Sequence, residues 1–147
     1  MKPTPERMQI DSYPMRTEVP IRFSDIDMFK HLNNVATGRF YEEARYALVS
    51  GARERLAPEK KGRFVLVAVD TAFLRETRYP GTLTVATAIL RRGQSSLIIG
   101  QALFSGDECV GAADSTIVYL EPQGPAATPA ELDTYFEPFH FRTDEQN

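Results

Sequence analysis

Between residues 33 and 56 the segment NNVATGRFYEEARYALVSGARERL places Phe40, Ala44, Ala47, Leu48 and Gly51 on one helical face, with Val35 and Tyr41 beside them. Asn33 or Asn34 is suited to cap its start. The segment 57–63, APEKKGR, ends it with proline, glycine and charge. Four strand-like segments follow. Residues 64–74 are almost continuously apolar, as in a strand covered on both faces, while 82–90 and 95–104 alternate and flank a tight Arg-Arg-Gly-Gln turn. Gly106-Asp107 turns the chain into a last strand over 109–120. Ahead of the helix, Met15, Thr17, Val19, Ile21 and Phe23 alternate as a first strand, and Pro20 marks it as an edge or a bulge. A single long helix before a strand meander can bury its apolar face only by lying across the sheet. The expectation is an α+β domain: a five-stranded antiparallel sheet wrapped around one long central helix. Such a sheet leaves edge strands unpaired, which invites an oligomer.

The division expected along the chain is a flexible N-terminal arm at 1–14, a domain over 15–120, and a C-terminal extension at 121–147. In that extension Thr128-Pro129-Ala130-Glu131 has capping-box spacing for a short helix, with Thr128 as the cap. The single cysteine, Cys109, excludes an internal disulfide and a zinc-cysteine array and fits a reducing compartment. A net charge of −3 supplies no overall basic field for a nucleic-acid partner. No apolar run approaches the ~20 residues that span a bilayer, and no secretory signal is seen, so a cytoplasmic location without membrane association is expected.

The chemistry concentrates in IRFSDIDMFKHLNN, residues 21–34. The stretch is too polar for a strand and sits directly before the helix. Asp25 can pair with Arg22 and fix the loop. Asp27 has two roles open to it: closing an Asx-turn, the commoner role for an aspartate at such spacing, or presenting a carboxylate near the helix N-terminus. There the free N–H groups and the positive end of the helix dipole could stabilise an oxyanion. His31 either orients water or packs the turn. Glu43 is nine residues past Asn34, about 13 Å along the helix, too far for direct contact with the target of Asp27 unless another subunit intervenes.

The string Asp25-x-Asp27-x-x-x-His31-x-Asn33-Asn34, followed by Phe40-Tyr-Glu-Glu43-Ala-Arg45, resembles the hot-dog-fold acyl-CoA thioesterases of the 4-hydroxybenzoyl-CoA thioesterase type. The strand order and total length agree with that family too. The resemblance implies a hot-dog homodimer, or a dimer of dimers, that hydrolyses an acyl-CoA thioester to a carboxylic acid and free coenzyme A at the subunit interface. It implies Asp27 as nucleophile or as general base for water, and the backbone N–H near Asn34 as the group polarising the carbonyl. His31 and Glu43 complete the candidate catalytic set. Asn33, Phe40, Ser95, Ser96, Arg75, Arg91 and Arg92 are the candidates for binding substrate. The arginines suit coenzyme A phosphates through their planar forks, and Lys60, Lys61, Arg63 and Arg78 are further basic groups near element ends. Neither a metal nor a separate cofactor is expected. Lys30 and Thr37 depart from the family pattern, which has glycine and tyrosine there in many relatives. The alternatives are a hydrolase of acyl-carrier-protein thioesters or a non-catalytic acyl-CoA-binding or assembly module. A hydratase on this fold would carry its Asp and His on a longer loop-helix spacing. No serine elbow or P-loop is present.

Overall fold

The computed structural model describes residues 1–59 and 62–143. The main elements are β1 (Met15–Pro20), α1 (Asn34–Glu54), β2 (Arg63–Phe73), β3 (Thr82–Arg92), β4 (Ser96–Ser105), β5 (Glu108–Glu121), a two-residue β6 (Gly124–Pro125) and α2 (Asp133–Phe136). The strands pair antiparallel in one sheet of order β1-β3-β4-β5-β2, with β6 added beside β5. The sheet curls around α1, which is the hot-dog arrangement. Only β3, β4 and β5 form a meander. Strand β2 lies beyond β5 at the opposite edge from β1, so the connection 74–81 must travel back across the sheet to start β3. That crossing brings it past the start of α1.

Helix α1 begins where the sequence places it. The Asn33 side chain accepts from the Val35 and Ala36 N–H groups at 2.7 and 3.3 Å. Its inner face inserts Phe40, Tyr41, Ala44 and Leu48 against Val85, Leu103, Ala113 and Ile99 of the sheet. Each fully buried large apolar side chain contributes roughly 1.5–3 kcal/mol. Gln101 crosses this interior and donates to the Tyr41 carbonyl and the Thr87 hydroxyl, tying helix to sheet.

Three expectations are corrected. Residues 1–14 are not a loose arm: Tyr13 is buried with Ala86, Ala102 and Phe104 on the outer face of the sheet. Arg7 is buried beside it, donating to the Tyr13 hydroxyl at 2.9 Å and to Asp114 at 2.6 Å. An aromatic anchor and a shielded ion pair hold the segment down. Strand β2 is not covered on both faces, since the helix does not reach across it. Val67 and Phe73 are 57% and 53% exposed, and Leu66 and Val69 also face solvent. In the C-terminal extension the short helix is present, but Pro129 and not Thr128 occupies the cap of the Ala130–Leu132 turn. The Thr128 hydroxyl instead accepts from Arg92 at 3.0 Å.

Candidate active site

The polar stretch before α1 folds into a tight, stitched turn. A 3-10 turn spans Phe23–Asp25, and Ile26 pairs with Leu32 across the loop. Asp25 is the buried anchor, 2% exposed. Its carboxylate accepts from Arg39 at 2.6 Å, from the Arg22 N–H at 2.7 Å and from the Arg22 guanidinium at 3.2 Å. Burial pushes this carboxyl up, but the hydrogen bonds from Arg39 and Arg22 outweigh it and hold the pKa at about 2. The Asp25 carbonyl accepts the Asn33 N–H at 2.8 Å, so this anchor sets the residue that caps the helix. The expected Arg22–Asp25 pair is therefore present, and Arg39 strengthens it.

Asp27 closes the expected Asx-turn and also lines a cavity. One carboxylate oxygen, Oδ1, accepts the Phe29 N–H at 2.9 Å and the His31 N–H at 3.2 Å, which is the Asx-turn. The second oxygen has no donor among the described residues, and the side chain lines a cavity of about 440 Å³. The backbone closes the loop further, with the Asp27 N–H donating to the His31 carbonyl at 2.9 Å. Lys30 takes φ 64° in this turn, the left-handed region that glycine enters without steric cost. That is the physical content of lysine standing where relatives have glycine.

Asn34 is the first residue of α1 and lines the same cavity. The first four N–H groups of a helix have no intrahelical partner. Here the Asn33 N–H donates to the Asp25 carbonyl, those of Val35 and Ala36 donate to the Asn33 side chain, and the Thr37 N–H makes the first intrahelical bond, to the Asn33 carbonyl. The Asn34 N–H has no acceptor among the described residues. A partly positive helix end with one uncommitted donor thus shares a cavity with one uncommitted carboxylate oxygen.

His31 also lines the cavity, its Nε2 3.2 Å from the Glu76 carboxylate. The β2–β3 crossing passes here: the Leu32 N–H donates to the Thr77 carbonyl at 2.7 Å, and His31 bridges to Arg78. Arg75 contributes to the rim, with Nε 2.5 Å from Glu108. Asn33 acts as the cap behind the cavity. Thr37 lines the wall and donates its hydroxyl to the Asn33 carbonyl.

Several candidates are not brought together in this chain. Phe40 is wholly buried in the core with the Arg39 guanidinium over its ring, so it offers no surface to a ligand. Glu43 points to solvent and pairs with Arg39 at 3.3 Å, an i, i+4 surface contact. Ser95, Ser96, Arg91 and Arg92 lie at the β3–β4 hairpin, the far end of the sheet. Ser96 is seven residues along β4 from Leu103 in the cavity wall, about 24 Å at strand rise. Arg92 there donates to Asp133 at 2.8 Å and stacks on Phe136, holding the C-terminal extension. Arg63 begins β2 at that same remote end, and Lys60 and Lys61 lie outside the described residues. Missed by sequence reading were Glu76, Thr77, Leu74, Val110 and Gly111. The polar triplet Arg75-Glu76-Thr77, straight after an apolar strand, was the available signal, and it becomes meaningful only once the crossing connection is known. Among the described residues no group of three or more His, Cys, Asp or Glu side chains could hold a metal ion. Nor, among the described residues, is any helix long and apolar enough to cross a membrane.

Solved structures share this architecture. The PA5185 protein of Pseudomonas aeruginosa superposes with a TM-score of 0.82 at 20% identity, covering 92% of this chain and 98% of that one. A Thermus thermophilus thioesterase, crystallised with coenzyme A and Zn, gives 0.75 at 23% identity, covering 90% and 98%. A thioesterase-superfamily protein of Jannaschia sp. CCS1 gives 0.71 at 21% identity, covering 82% and 79%. No curated protein matches. The family model of the thioesterase-like superfamily matches residues 21–134, from the polar turn to the C-terminal helix, and the chain belongs to that superfamily.

Proposed function

We propose that the chain hydrolyses an acyl-CoA thioester, with Asp27 as nucleophile or as base for water and the Asn34 N–H as the oxyanion donor. The observation that carries this is the pairing of two uncommitted groups, one carboxylate oxygen and one helix-terminal N–H, on a single cavity. Attack on the thioester carbon moves negative charge onto the carbonyl oxygen. A preorganised N–H at a helix pole stabilises that charge more in the transition state than in the ground state. The thiolate is a good leaving group, so no strong general acid is required. The Asx-turn holds Asp27 in place through Oδ1 and leaves the other oxygen to act. The coenzyme A in the Thermus relative of this fold supports a coenzyme A ester as substrate, and Arg75, which lines the cavity and pairs with Glu108, is the cation we assign to its phosphates. The exposed apolar edge β2 supports a homodimer formed with a second copy along that edge.

Thiol release from acetyl-, hexanoyl-, palmitoyl- and benzoyl-CoA tests the activity, and two variants test the assignment. Asn34 is the first helical residue, where proline is tolerated, and Asn33 has the extended φ −65°, ψ 135° that precedes proline without clash. Asn34→Pro therefore deletes one N–H with the helix kept, and lowers kcat by about 100- to 1,000-fold. Asn34→Ala keeps the N–H and stays within a few-fold. Asp27→Asn preserves the Oδ1 turn bonds and loses about 100- to 10,000-fold in turnover. Near-normal turnover in Asp27→Asn or in Asn34→Pro would remove that group from the mechanism.

A further inference from the structure

The cavity at the active turn is open at one end and closed at the other. At its mouth Phe73, Leu74 and Glu76 are exposed. At its inner end Leu103, Thr37 and Val110 are 1, 5 and 6% exposed, and Leu32 and Gly111 are buried beside them. Leu32, Leu103 and Val110 belong to the same core cluster as Phe40 and Tyr41, so the cavity ends on the packed core of the domain. Gly111 has no side chain with which to close its share of the wall, and Tyr41 closes it from behind: a Cβ built on Gly111 would come within 2.7 Å of the phenol oxygen. The Thr37 hydroxyl donates to the Asn33 carbonyl, so Thr37 adds bulk to this floor and no free donor. The floor is also near. Thr37 is three residues past Asn34 on the same helix face, about 4.5 Å along the axis.

We infer that this floor limits the substrate to a short acyl chain, about six carbons or fewer, and that Val110 is a residue that sets the limit. A thioester carbonyl resting at the Asn34 N–H sends its chain inward onto Thr37, Leu103 and Val110. Volume then gives the length. A six-carbon ring fills an apolar cavity of about 150 Å³, or about 25 Å³ per carbon. The whole cavity is about 440 Å³, and it must also take the thioester sulfur and the end of the arm that carries it. A hexanoyl group leaves most of that space for them, whereas the sixteen carbons of a palmitoyl group need about 400 Å³ and leave almost none. Further carbons could enter only by displacing a packed core, which feels even one methylene. Val110 is the residue to vary, because its carbonyl accepts the Leu74 and Arg75 N–H groups whatever side chain it carries.

The inference rests on the thioesterase reading, and the test separates the two. kcat/KM is measured for acetyl-, butanoyl-, hexanoyl-, octanoyl-, dodecanoyl- and palmitoyl-CoA, each below its micelle concentration. The proteins are the wild type, Val110→Ala and Val110→Phe, with thermal unfolding of each. In the wild type kcat/KM rises about threefold per methylene, as each leaves water, to a maximum at hexanoyl or below. It falls about tenfold or more by dodecanoyl. Val110→Ala makes the floor two carbons deeper and raises the octanoyl-to-hexanoyl ratio about tenfold. Val110→Phe fills the floor and lowers the hexanoyl-to-acetyl ratio about tenfold. Should Val110→Phe not fold, Val110→Ala decides alone. A wild-type maximum at octanoyl or beyond, or a flat profile, overturns the inference while hydrolysis stands; the chain then leaves the cavity over Phe73 and Leu74. Unchanged ratios in the folded variants overturn it too. If no ester is hydrolysed, calorimetry with the thioethers S-hexyl-CoA and S-dodecyl-CoA decides. Tighter binding of the hexyl compound, with a smaller gap in Val110→Ala, keeps the short subsite without the reaction, and any other result removes it.

Discussion

Replacing Asp25 with Asn probes the anchor that positions the active turn without touching the cavity. In the native protein this carboxyl titrates at about 2, against 3.8 for an ordinary aspartate. A depression of that size corresponds to about 2.4 kcal/mol at 1.36 kcal/mol per unit. Arg22, one of its partners, is 57% exposed, and solvent screening brings the figure to about 1–2 kcal/mol. The sign follows from linkage. Because the folded pKa is the lower one, the stabilisation is fully present above about pH 4, shrinks as pH falls below that, and is lost through about pH 2. Asp25→Asn also leaves two guanidinium groups without their shared carboxylate. The assay is urea unfolding of both proteins at pH 7, 4, 3 and 2.5 at one protein concentration, since an oligomer's stability depends on it. The gap between the curves should be about 1–2 kcal/mol at pH 7 and narrow steadily from pH 4 to pH 2.5. Because the Asp25 carbonyl holds the Asn33 N–H, the variant also loosens the helix cap and lowers kcat several-fold. Parallel curves with a pH-independent gap would refute the account, because they would show that the charge of Asp25 contributes nothing to the fold.

Lys30→Gly relieves a left-handed backbone at φ 64° and should raise stability by about 0.5–1 kcal/mol, read as a higher urea midpoint; a lower midpoint would show that lysine stabilises the turn in another way. Arg92→Ala removes the contacts to Thr128, Asp133 and Phe136. It should cost about 1–2 kcal/mol with kcat/KM unchanged, whereas a raised KM for the coenzyme A ester would return Arg92 to the substrate site. Light scattering should report a dimer. Val67→Arg on the exposed β2 edge should shift it toward monomer, and an unaltered mass would place the contact elsewhere.

The sequence by itself determined the features that depend on neighbours a few residues apart. The extent of α1 follows from the 3.6-residue spacing of Phe40, Ala44 and Leu48, its start from the cap at Asn33, and the β3–β4 and β4–β5 turns from local glycine chemistry. The polar turn, with Asp25 paired to Arg22 and Asp27 bound to the backbone two and four residues on, is local as well. Only the tertiary structure decided which of these groups share a cavity. Strand order places β2 beyond β5, so its connection runs back past the helix start and delivers Arg75, Glu76 and Thr77 to His31 and Asn34. The same antiparallel order sends Ser95, Ser96, Arg91 and Arg92 to the opposite end of the sheet. It exposes the apolar β2 as an edge and shuts Phe40 inside the core. Periodicity reports which face of an element is buried, but against what, and at which end of a strand, is set by long-range pairing that no local pattern encodes.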